Sequence, residues 1–341
     1  MEERKPTWAV VATVHEPPAL VQAFVAWHLQ QGASEVFIYC DDPLDPVASS
    51  FAHLYQVSVD PCDAAHWSRL HKARPPRHEV RQVYNARDAF ERSHADWLLH
   101  IDADEFVWSA QPVEDHLTEV DVEADACIIP VAERIHLGGI SETSIFDGGF
   151  RRPFRDAPAK GLRLFGPEFA LTYRGLTGHA QGKAFVRRGR PLKMSIHRPR
   201  KKRGEPDPVF ARAEPDHLEL LHFEGLTPIH WTQKLAKMAR AFVMDDGMPL
   251  PNHRRSQAEV LLADPEGAEA LYARLKCPKE RVRAALDRHG LAVSPAFDLT
   301  AALQTYFPDT QVDVSPQSFD AWLRRERAEV FAFLADHVSS E

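Results

Sequence analysis

The run LLHIDADEFVW, Leu98 to Trp108, places three carboxylates, Asp102, Asp104 and Glu105, at the end of what reads as a buried strand. Like charges packed that closely repel, and a site that keeps them holds a cation or lies open to water. Two acids spaced i, i+2 where the backbone turns can address one point. Hard divalent cations such as Mg²⁺ or Mn²⁺ take oxygen ligands of this kind and keep positions open for phosphate oxygens. In that reading Asp104 and Glu105 are direct ligands, and Asp102 bonds the metal through water or a ribose hydroxyl. A competing reading has the triplet capping a helix that starts at Phe106, where negative charge is favourable.

The elements that must position this turn are legible upstream. Trp8 to Val14 (WAVVATV) is a continuous β-branched and apolar run, expected of a strand covered on both faces of a mostly parallel sheet. After the turn His15-Glu16-Pro17-Pro18, the residues Leu20, Val21, Phe24, Val25 and Leu29 recur at helical spacing and stop at Gly32. Glu35 to Cys40 is a second strand ending in the acidic turn Asp41-Asp42-Pro43-Leu44-Asp45. Val80 to His94 reads as a helix leading into the strand that carries the triplet. Such βα units predict an α/β fold with a parallel sheet, whose ligands bind beyond the carboxyl ends of the strands. Three polar turns, Thr13 to Glu16, Asp41 to Asp45 and Asp102 to Glu105, thereby converge on one edge.

Further on, Ala126 to Val131, Ala184 to Arg187, Lys193 to His197 and Leu218 to Phe223 are strand candidates. From Trp231 the pattern turns helical: WTQKLAKMARAFV, a run from Gln257 to Leu275, CPKERVRAALDRHG, and one amphipathic helix after Ser318. That last helix has an apolar stripe, Phe319, Trp322, Val330, Phe331 and Leu334, that must face something, a second copy of the chain included. The expected organisation is one α/β domain over residues 1–240 and a helical C-terminal region over 241–341.

The run YNARDAFERSHADWLLHIDADEFVW resembles the family 2-like glycosyltransferases, whose signature is a tryptophan-led strand ending in DxDEF. The resemblance extends to VATVHEPPALVQAFVAWHLQQGASEVFIYCDDPLD upstream and to GKAFVRRGRPLKMSIHRPR and LLHFEG downstream. It implies a GT-A fold, a nucleotide-sugar donor, and Mn²⁺ or Mg²⁺ bridging the donor diphosphate. Carried over by residue, Thr13 and Glu16 border the nucleotide, Asp41 or Asp42 the base or ribose, and Asp102, Asp104 and Glu105 the metal and diphosphate. A late histidine can complete the metal shell, which singles out His197 in SIHRP and then His222 in LLHFEG. Where the family often has Lys-Asn-Glu or Arg-Asn-Glu after the first strand, Val14-His15-Glu16 keeps only the glutamate, so the nucleotide stays open. Bacterial surface polysaccharide biosynthesis is the setting the resemblance implies.

Glycosyl transfer needs the leaving diphosphate stabilised and the acceptor hydroxyl deprotonated. Lys183 can serve the first need as a compact point charge for phosphate. For the second, the candidate bases are Glu224, just past a strand end, and Asp147, in the glycine-flanked FDGG. The resemblance implies inversion by direct displacement. The rival chemistry is a metal-dependent phosphoryl transferase or nuclease, which also uses paired carboxylates, although further acids for a two-metal site are scarce. A catalytically inactive nucleotide-sugar-binding scaffold is the non-enzymatic alternative. No GxGxxG follows the first strand, which disfavours a dinucleotide-binding dehydrogenase, and Val107 stands where an EF-hand loop needs glycine.

Composition narrows the partners. Of 341 residues, 41 are Lys or Arg and 49 are Asp or Glu, a net charge of −8 that does not suit a nucleic-acid binder. Two basic loops stand out against it, Arg151, Arg152 and Arg155 in FRRPFR and the run RPRKKR from Arg198. They are either solvated or in contact with an anionic acceptor, the diphosphate or a membrane surface. Cys40, Cys62, Cys127 and Cys277 form no CxxC pair, so reduced thiols are expected. No run approaches the roughly 20 apolar residues of a membrane span, and the opening run is too short for a signal peptide core. The expectation is a cytoplasmic enzyme whose basic loops can lie against the inner membrane face.

Overall fold

A computed structural model of the chain describes residues 4–243 and 250–338. In chain order its strands are β1 (Trp8–Val14), β2 (Glu35–Cys40), β3 (Val57–Pro61), β4 (Trp97–His100), β5 (Glu105–Ser109), β6 (Ala126–Ile129), β7 (Val131–Ile135), β8 (Gly149–Arg151), β9 (Lys183–Arg187), β10 (Leu192–Lys193), β11 (Arg200–Lys201), β12 (Phe210–Arg212), β13 (Leu218–His222) and β14 (Ala292–Val293). Its α-helices are α1 (Pro18–Gln30), α2 (Ala64–His71), α3 (His78–Arg92), α4 (Val113–Thr118), α5 (Pro158–Phe165), α6 (Pro228–Val243), α7 (Asn252–Ala263), α8 (Ala268–Lys276), α9 (Glu280–Arg288), α10 (Leu299–Tyr306), α11 (Pro316–Glu326) and α12 (Ala328–Val338). By compactness the chain divides into two units. The first comprises Met1–Val131, Gln181–Leu220 and Phe297–Val312; the second comprises Ala132–Ala180, Leu221–Ala296 and Asp313–Glu341.

The first unit is built on a seven-stranded sheet in the order β12-β6-β9-β4-β1-β2-β3. Strands β4, β1, β2 and β3 run parallel, as their buried apolar sequences and intervening helices require. The class is therefore the expected one: α/β, with a mostly parallel central sheet flanked by helices. Every residue of β1 is buried, which its β-branched and apolar run anticipates. Helix α1 opens on Pro18, whose missing N–H costs nothing in a first turn, and gives way to Gly32 at φ +92, a conformation glycine adopts without a Cβ penalty. Its apolar face packs Phe24 against Phe106, ring centroids 6.1 Å apart, and Trp27 against the tilted ring of Phe297 at 4.1 Å.

One strand breaks the parallel order, and it matters for the site. β9 lies antiparallel between β4 and β6, with Leu99 opposite Phe185. Because β9 runs the other way, its first residue, Lys183, lies at the edge where β4 ends.

The second unit has its own core. Trp231, Leu235, Leu261, Leu271 and Tyr272 of α6, α7 and α8 pack with Val330 and Leu334 of α12. Antiparallel strands β7, β8 and β14 complete it, Glu133 standing opposite Arg151. Of the C-terminal apolar stripe, Val330 and Leu334 thus pack within their own unit.

Three expectations about elements need correction. The Gln257 to Leu275 run is two helices, α7 and α8, because Pro265 has no N–H to donate and disfavours a helical residue before it. The last helix is also two, parted at Arg327, which leaves helical angles at φ −126 and ψ 26. Lys193 to His197 is not a strand: only Leu192 and Lys193 pair, with Lys201 and Arg200, before the chain bends and the Ser195 carbonyl meets His100 Nδ1 at 3.1 Å. All four cysteines are free thiols, as expected.

Candidate functional site: an acidic turn at a strand end

The residues after β4 form a tight turn, closed by the Glu105 N–H donating to the Asp102 carbonyl at 3.0 Å. In return the Asp102 N–H donates to Glu105 Oε2 at 2.9 Å. Glu105 and Asp104 are buried, while the Asp102 side chain is 38% exposed. The residues that follow form β5, so the triplet does not cap a helix at Phe106.

The repulsion expected among these acids is met by a cation from the chain itself. Lys183 Nζ sits 2.9 Å from Asp102 Oδ2 and 3.0 Å from Glu105 Oε2, with no solvent exposure. Burial alone would pull the lysine's pKa down. Asp102 and Glu105 outweigh it and hold the ammonium above its ordinary value, firmly charged. Behind the turn, burial and the Lys183 charge lower the His100 pKa to about 4, so the imidazole is neutral and its Nδ1–H can donate to Ser195.

Helix α3 ties the acidic turn to the other strand ends. Its buried face carries Arg81, Gln82 and Asn85, polar side chains where an ordinary amphipathic helix is apolar. Gln82 Nε2 donates to Asp102 Oδ1 at 2.7 Å. Asn85 Nδ2 donates to Thr13 Oγ1 at 2.9 Å, and its Oδ1 pairs with His66 Nε2 at 2.9 Å. Arg81 grips Asp41 with two bonds, Nε to Oδ1 at 2.6 Å and Nη2 to Oδ2 at 2.7 Å, and Arg74 adds a third at 2.9 Å. Burial disfavours the Asp41 charge, yet His78 and Arg81 hold its carboxyl well below the usual range.

Beyond the ends of β1, β2 and β3 lies a cavity of about 690 Å³. His15, Asp41, Asp42, Trp67, Lys72 and Arg74 are among its walls. Lys72 occupies φ +72, a strained conformation for a residue with a Cβ, at the C-terminus of α2. Asp42 caps its own turn, accepting from the Leu44 N–H at 3.0 Å.

The first unit thus brings together Asp102, Asp104, Glu105 and Lys183, and links Thr13 and Asp41 to them through α3. Glu16 is half-buried in the turn after β1, and His197 Nδ1 meets the carbonyl of Gly182, the residue before Lys183, at 3.2 Å. The remaining candidates belong to the second unit. Glu224 is buried, bonded to Lys234 Nζ at 2.7 Å, to Arg254 and to His222 Nε2 at 3.2 Å. Burial opposes its charge, but Arg254 and Lys234 hold it ionised well below the usual carboxylate range. The His222 ring also packs on His179, centroids 5.1 Å apart. Asp147 is exposed and accepts from Ser141 Oγ at 2.6 Å and Thr143 Oγ1 at 3.0 Å.

Sequence reading overlooked Arg74, Arg81, Gln82, Asn85 and His66. The signal was present on α3: polar residues at i, i+1 and i+4 on the face turned to the sheet.

No family model matches the chain, and no curated protein does. Among solved structures it is similar to S. aureus TarS 1–349 with TM-score 0.36 and 11% identity, over 97% of this chain and 88% of that one. It is also similar to HddC from Yersinia pseudotuberculosis, with TM-score 0.33 and 10% identity over 68% and 99% of the two chains. For S. aureus TarS 1–349 in complex with UDP the TM-score is 0.27 and the identity 13%, over 83% and 92%. Likenesses this distant leave fold and chemistry to be argued from the chain's own geometry.

Proposed function

We propose that the chain is a metal-dependent glycosyltransferase that moves a sugar from a nucleotide-sugar donor to an acceptor hydroxyl by direct displacement, with inversion. The observation that carries this reading is that neighbouring residues of one helix, Arg81 and Gln82, hold Asp41 beside a nucleotide-sized cavity and Asp102 in the acidic turn. A base and ribose in the cavity would leave the diphosphate free to reach the acids.

The donor set suits a hard divalent cation: three carboxylates on one turn supply oxygen ligands. Asp104 and Glu105 would hold Mn²⁺ or Mg²⁺, and Asp102, fixed by Gln82, would orient the donor. His197 would complete the shell. The cation would stabilise the charge that develops on the leaving diphosphate. Lys183 offsets the acids so that an anionic donor can approach, and Trp67 and Arg74 would hold the nucleotide. Glu224 is a weak proton acceptor while Arg254 and Lys234 claim its charge. Of the two acids Asp147 is the exposed one and would take the acceptor's proton.

The test is a thermal-shift panel of UDP, GDP, CDP and dTDP, each with Mn²⁺, Mg²⁺ or chelator, since a ligand bound only by the folded state raises its stability. We expect one nucleotide to shift the midpoint with metal and not with chelator, and Asp104→Ala to abolish the shift without unfolding the chain. An unchanged shift in Asp104→Ala overturns the metal assignment. Release of free sugar from a nucleotide-sugar, rather than cleavage of a phosphodiester, separates the proposal from a phosphoryl transferase.

A further inference from the structure

A second cavity, of about 330 Å³, lies wholly among residues of the second unit. Its apolar wall contains three aromatic rings: Phe154 lies 5.2 Å from Phe165 and 5.9 Å from Phe169, and Phe165 stacks on Phe169 at 5.7 Å. Against this wall stand five cationic side chains, Arg151, Arg152, Arg174, Arg274 and Lys279, and one carboxylate, Glu168, which Arg274 already meets at 3.6 Å. Sites that take small molecules combine such an apolar lining with a few convergent polar groups.

The decisive side chain is Arg151. It is 8% exposed, and its Nε has no hydrogen-bond partner. Its bond to Glu133 is long, 3.5 Å, and that carboxylate is already satisfied by Lys276 at 2.9 Å and by the N–H groups of Thr177 at 2.8 Å and Gly178 at 2.6 Å. A buried guanidinium with a surplus charge and an unused N–H is costly unless something anionic completes it. At the rim, Arg174 is held at φ +57, its carbonyl accepting from the Phe154 N–H at 2.8 Å. Strain of this kind persists where surrounding structure enforces it, and Arg174 is among the residues that line the cavity, its guanidinium 5.8 Å from the centroid of the Tyr173 ring.

We propose that this cavity binds a small amphiphilic anion, an apolar chain or ring lying on Phe154, Phe165 and Phe169 with a phosphate or carboxylate head met by Arg151 and Arg174. The site does not depend on the reading of the acidic turn, because every residue that lines it belongs to the second unit.

Titration calorimetry of the full chain with octyl phosphate, octanoate and octanol tests it. The expected result is saturable binding of one octyl phosphate or octanoate per chain, roughly tenfold tighter than octanol, because a charge-assisted hydrogen bond distinguishes them. Tighter octyl phosphate assigns a phosphate head and tighter octanoate a carboxylate head. Arg151→Gln should weaken the better anion by roughly tenfold. Should that variant fail to fold, Arg174→Gly decides, since glycine accepts the positive φ while the rim cation is lost. Octanol binding as tightly as both anions, wild-type affinity in Arg174→Gly, or no saturable binding overturns the proposal.

Discussion

Lys183 Nζ and Glu105 Oε2 face each other at 3.0 Å, and neither side chain has any solvent exposure. The ammonium comes from an antiparallel strand and the carboxylate from the turn after a parallel one. Their meeting explains how the chain tolerates three acids in four residues. Removing one partner of a buried pair strands the other charge, so Lys183→Met should cost about 3–5 kcal/mol in chemical denaturation. The same change leaves the acids without their internal counter-charge. Added Mn²⁺ should then restore part of the lost melting temperature in Lys183→Met, and chelator should remove the gain. No recovery with metal would count against a cation site on this turn.

Gly182 sets where Lys183 starts. It sits at φ +71, and a Cβ there would run into the Ile129 carbonyl oxygen. Gly182→Ala should lose about 2 kcal/mol or more in urea unfolding, from backbone strain and the displaced neighbour. Stability equal to wild type would show that the β6–β9 edge can shift to absorb it.

In the second unit, Glu224→Gln keeps the shape of the side chain and removes the charge that Arg254 and Lys234 share. We expect a loss of about 3 kcal/mol, since Arg254 is itself buried. If the residue instead served as the base, turnover would collapse while the unfolding midpoint stayed put. The two readouts separate the roles.

The buried histidines make stability depend on pH. Burial lowers His28 from 6.5 to about 3, its Nδ1–H donating to the Phe24 carbonyl at 2.7 Å and its Nε2 accepting from the Val107 N–H at 3.2 Å. His100 falls from 6.5 to about 4, burial being the larger cause and the Lys183 charge the second. Over that window the unfolded chain binds protons that the folded chain excludes, so stability falls as pH falls below 6.5. The slope approaches about 1.4 kcal/mol per pH unit for each such imidazole. Guanidinium unfolding at several pH values between neutral and 5 measures it, and a flat profile would refute the neutral, buried assignment.

Much of the frame is legible in the sequence because it depends on local pattern. The β-branched and apolar run Trp8 to Val14, the helix closed by Gly32 and the strand leading into Asp102 each follow from residue pattern and from what Pro and Gly do to a backbone. Those elements alone place three polar turns on one sheet edge, and the crowding of three acids at one of them can be read from their spacing. The half-buried strand Val57–Pro61 is hard to read, since its alternation, Val57-Ser58-Val59-Asp60, lasts only until Pro61 and its sheet pairing is with β2.

Tertiary structure decided the rest, because it depends on which distant segments meet. That Lys183, 81 residues after Asp102, neutralises the acidic turn follows from β9 running antiparallel beside β4, which no local pattern encodes. That Asp41 is claimed by Arg81 and Arg74, and Glu224 by Arg254 and Lys234, is likewise a matter of packing. The sequence named the carboxylates of this protein; the fold determined which cations hold them, because ion pairing inside a core depends on distance through space and not along the chain.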